Sequence, residues 1–97
     1  MSVAEQIEEL RLELRRRSCI GGRVFFAHNQ SALDCTIRDI SSSGARIEFT
    51  HPFVGPSELI LQIGTGDNVR DRVQCTVQWT KGKQVGLEFM KNAAAEA

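Results

Sequence analysis

The chain has 97 residues, 41% of them hydrophobic, and its 12 basic and 12 acidic side chains balance to zero formal charge. That length suits one domain with a modest core, and the balanced charge argues against a general nucleic-acid binder. The sequence lacks the long apolar run of a transmembrane helix and the pattern of a signal peptide. Its three cysteines form no C-x-x-C pair, so we expect a cytoplasmic protein without disulfides or a zinc ribbon.

Residues 1–17 are predicted to form an amphipathic helix. Its apolar residues are spaced by four, three and four positions, at Val3, Ile7, Leu10 and Leu14. A stripe of two heptads packs on its own domain or pairs weakly with a second copy, so we expect a monomer or a weak homodimer. Arginines concentrate at residues 11–23 and form a patch that attracts anions. Gly21 and Gly22 are expected to end the helix.

From residue 23 onwards the hydrophobic period is two, which predicts six short β-strands separated by turns. The predicted strands cover residues 23–28, 32–38, 45–49, 57–63, 69–79 and 85–90. In the fifth strand one apolar face is predicted to hold Val69, Val73, Cys75, Val77 and Trp79. The pattern favours an all-β barrel or sandwich in a domain of residues 18–91. Residues 92–97 are expected to form a flexible tail.

Few residues in the sequence suit catalysis, and we expect neither an enzyme nor a bound metal or cofactor. His28 and His51 have no partners at metal-ligand spacing. Cys35 and Cys75 fall on apolar strand faces, which indicates buried core thiols. Cys19 follows a run of arginines, which would favour its thiolate, but no base or second ligand accompanies it in sequence.

The segment at residues 39–44, DISSSG, places an acid, hydroxyls and a glycine between two predicted strands. A carboxylate can accept both N–H groups on the guanine edge, and nearby arginines could read or stack on a purine. Serine hydroxyls and backbone N–H groups could hold a phosphate. The alternative is an ordinary turn or bulge, in which Ser and Asp bond their own backbone. Composition alone leaves both interpretations open.

DISSSG also fits the D/N-x-S-x-x-G motif of PilZ domains, and it is followed by the expected apolar strand ARIEF. The later segment VQCTVQWTKGKQVGLEF resembles the last strand pair of that family, with its Trp and its closing Gly-x-x-Phe. The resemblance covers nearly the whole chain from residue 15 or so. It implies a six-stranded antiparallel PilZ-type β-barrel that binds cyclic di-GMP, with an arginine-rich arm before the first strand.

Carried over by position, the resemblance implies that Asp39, Ser41 and Gly44 contact the ligand. The arm of the family has an R-x-x-x-R pattern, but Arg16 and Arg17 are not followed by arginine four positions later. Arg17 and Arg23 have five residues between them. We therefore take Arg16, Arg17 and Arg23 as the candidate arm residues. Either a longer loop brings Arg23 to the ligand, or Arg23 only starts the strand, or the arm has lost its affinity.

The resulting hypothesis is a bacterial second-messenger receptor that transmits a cyclic di-GMP signal to an effector protein. The family resemblance implies roles in motility, exopolysaccharide secretion or attachment. Neither nucleic-acid binding nor membrane insertion is expected. The alternative is a degenerate PilZ adaptor that binds no nucleotide and acts by protein–protein contact.

Overall fold

Six antiparallel strands close into a barrel in the computed structural model, which describes residues 8–12, 19–26 and 30–90. The strands are β1 (Ile20–Phe26), β2 (Ser31–Ile40), β3 (Gly44–Glu48), β4 (Glu58–Ile63), β5 (Asp71–Lys81) and β6 (Gln84–Phe89). Neighbours around the barrel follow the order β1-β2-β3-β6-β5-β4. The predicted all-β class and strand number are confirmed. Within the described residues, no helix has the length and apolar character needed to cross a membrane.

The first strand starts three residues before its predicted position, because Gly21 and Gly22 lie inside β1. Gly22 pairs with Cys35 on β2 and with Ile63 on β4. A Cβ atom at Gly22 would lie 2.9 Å from the carbonyl oxygen of Gln62, so a larger residue would push the strands apart. The expectation that these glycines only end a helix was therefore incomplete.

The buried apolar residues of the described ranges form one core cluster, and the N-terminal helix contributes to it through Leu10. Leu10, within the helical residues 8–12, is 1% exposed, so the helix packs on its own barrel at this point. Val3, Ile7 and Leu14, the other residues of the predicted stripe, lie outside the described residues, as does the predicted tail. The core residues from the strands include Val24, Ile37, Ile47, Leu61, Ile63, Cys75 and Val85.

Two bulges change which side chains face the core. On β2 the register shifts between Ile37 and Asp39, and on β5 it shifts between Val77 and Trp79. A bulge adds one residue to a strand and reverses the alternation beyond it. Trp79 is consequently 44% exposed, against the prediction that it shares the apolar face of Cys75.

Two of the three cysteines are core residues, as predicted, and their ionisation would oppose folding. Burial raises the pKa of Cys35 and of Cys75 from 9.0 to about 12, and the charge of Asp34 adds to the effect at Cys35. The unfolded thiols ionise first, so the stability that both contribute below pH 9 declines as the pH rises towards 12.

We therefore expect the urea midpoint to fall between pH 8 and pH 10.5, and to fall less in a Cys35→Ala/Cys75→Ala variant. Urea titrations followed by circular dichroism at both pH values measure the two midpoints. Lysines also titrate in this pH range. The test is therefore the difference between the wild type and the variant in how far the urea midpoint falls. Equal declines of the urea midpoint in the two proteins would contradict the contribution assigned to Cys35 and Cys75.

Candidate functional site

A groove of about 350 Å³ lies on the outer surface of the barrel, where β2 ends and β3 begins. Its lining comprises Asp39, Ile40, Ser41, Ser43, Gly44, Ala45, Arg46, Gln78, Leu87 and Glu88. Asp39, Ser41 and Gly44, which the sequence singled out, therefore meet at one place. The volume lies at the small end of the range for ligand sites, and it suits one purine base rather than a whole dinucleotide.

The bulge on β2 turns Asp39 towards solvent. Cys35 and Ile37 face the core, so regular alternation would place position 39 inside the barrel. The extra residue, Arg38, makes positions 38 and 39 both exposed and returns Ile40 to the interior. The side chain of Asp39 is 66% exposed as a result. A carboxylate on a bulge at a strand end is well placed to meet a ligand.

Asp39 is held from one side by Arg46, its cross-strand partner on β3. The Nε–H group of Arg46 donates to Oδ2 of Asp39 at 2.7 Å, and Nη2 lies 2.5 Å from the same oxygen. Nη1 of Arg46 reaches Oε1 of Gln84 at 3.5 Å. Both contacts of the ion pair use Oδ2, so among the described residues Oδ1 of Asp39 is left for another donor.

Ser41 organises the turn between β2 and β3. Its backbone N–H donates to the carbonyl oxygen of Gly44 at 2.8 Å, and its hydroxyl oxygen accepts from the backbone N–H groups of Ser43 and Gly44, both at 3.2 Å. These contacts make the serine–glycine segment a turn of the kind that the alternative interpretation describes. The two amides are thus bonded within the turn, and a phosphate could reach them only by displacing Ser41.

Gly44 is required by the close approach of β3 and β6. It pairs with Glu88, and a Cβ atom at this position would overlap the carbonyl oxygen of Leu87, a backbone atom that cannot move aside without disturbing the strand pair. We expect Gly44→Ala to lower the free energy of unfolding by about 2 kcal/mol, within the range for overpacking.

Gly21→Ala is the matched control for Gly44→Ala, because Gly21 is also a strand glycine and the nearest atom to its added Cβ would lie at 3.6 Å, an ordinary contact. Urea denaturation of both variants, followed by circular dichroism, compares the two free energies of unfolding. If Gly44→Ala unfolds at the same midpoint as Gly21→Ala, the steric role of Gly44 is wrong.

The bulge on β5 exposes the ring of Trp79, which does not line the groove but lies in one row with two of its lining residues, a placement that the sequence interpretation missed. Asp39 pairs with Arg46, Arg46 with Gly86, and Gly86 with Trp79, so the four residues form one row across four strands. A Cβ atom at Gly86 would collide with the indole of Trp79, so the ring lies over the glycine. The direction of the Trp79 side chain depends on the bulge. A Trp and a Gly on neighbouring predicted strands were nevertheless a sequence signal for a contact between ring and glycine.

The wall of the groove opposite Asp39 is formed by Gln78 and Glu88. The amide Nε2 of Gln78 donates to Oε1 of Glu88 at 3.3 Å. Among the lining residues the charged side chains are Asp39, Glu88 and Arg46, which gives the lining a formal charge of −1. The described part of the groove therefore suits a neutral base better than a phosphate.

Of the three candidate arm residues, the structure describes Arg23 alone. Arg16 and Arg17 lie outside the described residues. Arg23 lies in β1, where its Nε–H donates to Oδ1 of Asp34 at 2.8 Å, and it does not line the groove. Asp34 stands five positions before Asp39 on β2. This geometry favours the interpretation in which Arg23 belongs to the strand.

The R-x-x-x-R spacing does occur further upstream, where the sequence interpretation overlooked it. Arg11 and Arg15 are separated by three residues in the segment RLELR. Arg11 is exposed on the helix at residues 8–12, and Arg15 lies outside the described residues.

The residues considered for other chemistry are dispersed. His51 is exposed in the loop after β3, and His28 lies outside the described residues. Within residues 8–12, 19–26 and 30–90, no three His, Cys, Asp or Glu side chains are grouped as a metal site would need. Cys19 is half-buried beside the start of β1.

The chain matches a known protein family. The family model of the PilZ domain matches residues 9–97, which is nearly the entire chain. No curated protein sequence matches the chain.

Proposed function

Because the chain belongs to the PilZ domain family, we propose that it is a receptor that binds cyclic di-GMP in the groove at Asp39. PilZ domains in general bind this dinucleotide and act as ligand-binding or adaptor domains rather than as enzymes. Binding of the dinucleotide in this groove, and the part that each residue plays in it, belong to the proposal.

The observation that supports the proposal best is the state of the Asp39 carboxylate. It faces solvent at the groove, Arg46 holds its Oδ2 atom, and its Oδ1 atom has no hydrogen-bond partner among the residues that the structure describes. A guanine base presents two adjacent donors, N1–H and the 2-amino group. A carboxylate oxygen has two lone pairs, so Oδ1 alone can receive both donors while Arg46 stays on Oδ2.

Trp79 provides a surface on which the base could rest. Its indole lies over Gly86 and is 44% exposed, in the same row of residues as Asp39 and Arg46. Stacking of a base on an aromatic side chain contributes about 1–3 kcal/mol. A carboxylate edge and an aromatic face together would fix both the plane and the edge of a guanine.

The phosphates of the ligand require positive charge from outside the described groove. Cyclic di-GMP carries two phosphodiester anions, whereas the groove lining has a formal charge of −1. In the proposal, Arg16 and Arg17 of the arm supply that charge and close over the bound ligand. Binding then orders the arm and changes the surface that a partner protein contacts.

The proposed output is contact with an effector protein in the cytoplasm of a bacterium. Control of motility, of exopolysaccharide secretion or of attachment is what the family membership suggests. The proposal includes no enzymatic step, no nucleic-acid partner and no membrane insertion. It treats the protein as a monomer or as a weak dimer through the N-terminal helix.

Isothermal titration of the full chain with cyclic di-GMP tests the proposal, with GTP and cyclic di-AMP as control ligands. We expect saturable binding at micromolar or lower concentration for cyclic di-GMP alone. Trp79 is the sole tryptophan of the chain, so its fluorescence provides an independent reading of the same titration. No heat and no fluorescence change at high micromolar ligand, with the barrel folded by circular dichroism, would contradict the proposal.

A second candidate function is an adaptor that binds no nucleotide. The observation in its favour is that Arg46, the one cation among the described lining residues, is already paired with Asp39. In that case Asp39 and Arg46 would stabilise the β2–β3 corner only. A negative titration together with recovery of a specific protein partner that requires the N-terminal helix would favour the adaptor.

A further inference from the structure

We infer that Arg46 is the positioning residue for guanine recognition: it holds the Asp39 carboxylate in the orientation that the base requires and does not itself bind the phosphates. This inference rests on the proposed function, in which Arg46 appears only as the ion-pair partner of Asp39 and has no assigned part in binding. Its basis is the arrangement of the guanidinium group between three strands.

The nitrogen atoms of Arg46 contact acceptors on the protein itself. Nε and Nη2 both contact Oδ2 of Asp39 on β2, and Nη1 contacts Gln84 on β6. All three nitrogen atoms therefore have a partner before any ligand arrives. A phosphate-binding arginine instead presents a free fork of N–H groups to the anion.

The contact to Asp39 is also one-sided. Both nitrogen atoms use the same carboxylate oxygen, so the pair is not the symmetrical fork in which each oxygen accepts one N–H group. The second oxygen, Oδ1, is thereby left for the ligand. Arg46 can stay bound to Oδ2 while a guanine edge occupies the open side of the carboxylate.

Asp39 needs such support because little else restrains it. Its side chain is 66% exposed, and Arg46 is its only side-chain partner among the described residues. Without Arg46 the ligand itself would have to order the carboxylate, and binding would lose that ordering entropy. The neighbouring residue Arg38 offers no substitute, because its Nε–H group donates to Glu48 at 2.9 Å.

The experiment compares two ligands that share their phosphates and differ in the guanine edge: cyclic di-GMP and its inosine analogue, cyclic di-IMP, which lacks the 2-amino group. Both are titrated calorimetrically into the wild type, Arg46→Ala, Arg46→Lys and the control Arg38→Ala. Arg38 lies outside the groove lining and pairs with Glu48 in a similar exposed ion pair, so it matches Arg46 in charge and setting. Circular dichroism confirms that each variant is folded.

We expect Arg46→Ala to weaken cyclic di-GMP binding about tenfold and to reduce the preference over cyclic di-IMP, because the mobile carboxylate no longer meets both donors. Arg46→Lys keeps the positive charge and an ammonium donor group but loses the planar geometry of the guanidinium, so it should fall between the wild type and the alanine variant. Arg38→Ala should bind both ligands as the wild type does.

Three results would overturn the inference while leaving the proposed function intact. Equal weakening of both ligands by Arg46→Ala would make Arg46 a phosphate ligand. Unchanged binding by Arg46→Ala would show that Arg46 has no role in recognition. Tighter binding by this variant would show that the ion pair between Arg46 and Asp39 opposes ligand binding. If the folded wild type binds neither ligand, the proposed function fails and the role of Arg46 fails with it. The lysine variant decides the matter if the alanine variant does not fold.

Discussion

Replacement of Asp39 by alanine is expected to weaken cyclic di-GMP binding at least 30-fold while leaving the barrel folded. The carboxylate would accept two hydrogen bonds from guanine, and a two-donor contact of this kind is worth about 1–3 kcal/mol, or roughly five- to 150-fold in affinity. The upper part of that range applies because the loss also releases Arg46, whose Nε–H group donates to Asp39. Isothermal titration of the purified variant measures the change.

Asp34→Ala is the matched control for Asp39→Ala. Asp34 is an exposed carboxylate on the same strand, it also pairs with an arginine on a neighbouring strand, and it lies outside the groove lining. We expect this variant to bind within twofold of the wild type. Asp39→Asn should bind more weakly than the wild type but better than Asp39→Ala, because the amide oxygen remains as an acceptor for the guanine N–H groups, in keeping with the D/N position of the motif. Equal affinities of the Asp39→Ala and Asp34→Ala variants would move the base site away from the β2–β3 corner.

Removal of the two arm arginines is the second change with a large expected effect. We expect Arg16→Ala/Arg17→Ala to weaken binding about 100-fold, since the groove lining has a formal charge of −1 and cannot attract the phosphates. Each arginine contact to guanine or phosphate contributes about 1–3 kcal/mol. Because the lost contacts would be ionic, the affinity of the variant should also depend less on salt than that of the wild type.

Arg23→Ala distinguishes an arm residue from a strand residue. Arg23 carries the same charge, but it lies in β1 and pairs with Asp34 at 2.8 Å. An exposed ion pair of this kind contributes little to stability, so we expect a folded protein with wild-type affinity. Titrations at two salt concentrations compare the three proteins. If Arg23→Ala loses as much affinity as the double variant, Arg23 reaches the ligand and the strand interpretation is wrong.

The fold was accessible from the sequence because alternating hydrophobicity and turn residues repeat six times along the chain. The period of two places Val24, Ile37 and Ile47 in the core, where each is completely buried. The family motif identified the segment DISSSG in addition, and the match to the PilZ domain confirms the family. The contribution of Asp39, Ser41 and Gly44 to ligand binding stays a prediction.

The features that sequence alone did not supply are those decided by contact between strands. A bulge exposes Trp79, and no local pattern in the alternating segment reveals the extra residue. Gly22 and Gly44 lie in strands at points where backbone atoms of a neighbouring strand leave too little room for a side chain. In sequence, a glycine pair such as Gly21 and Gly22 suggests a turn instead. The pairing of Arg46 with Asp39 likewise depends on the shifted register between β2 and β3.

The central claim is that a guanine base occupies the groove at Asp39, and a nuclear magnetic resonance titration of the ¹⁵N-labelled protein with cyclic di-GMP tests it most directly. The account predicts large amide shifts at residues 39–46 and 86–88 and a shift of the indole N–H of Trp79. Amides of β1 around Arg23 should move little. An unchanged spectrum at saturating ligand, or shifts confined to the opposite side of the barrel, would contradict the account.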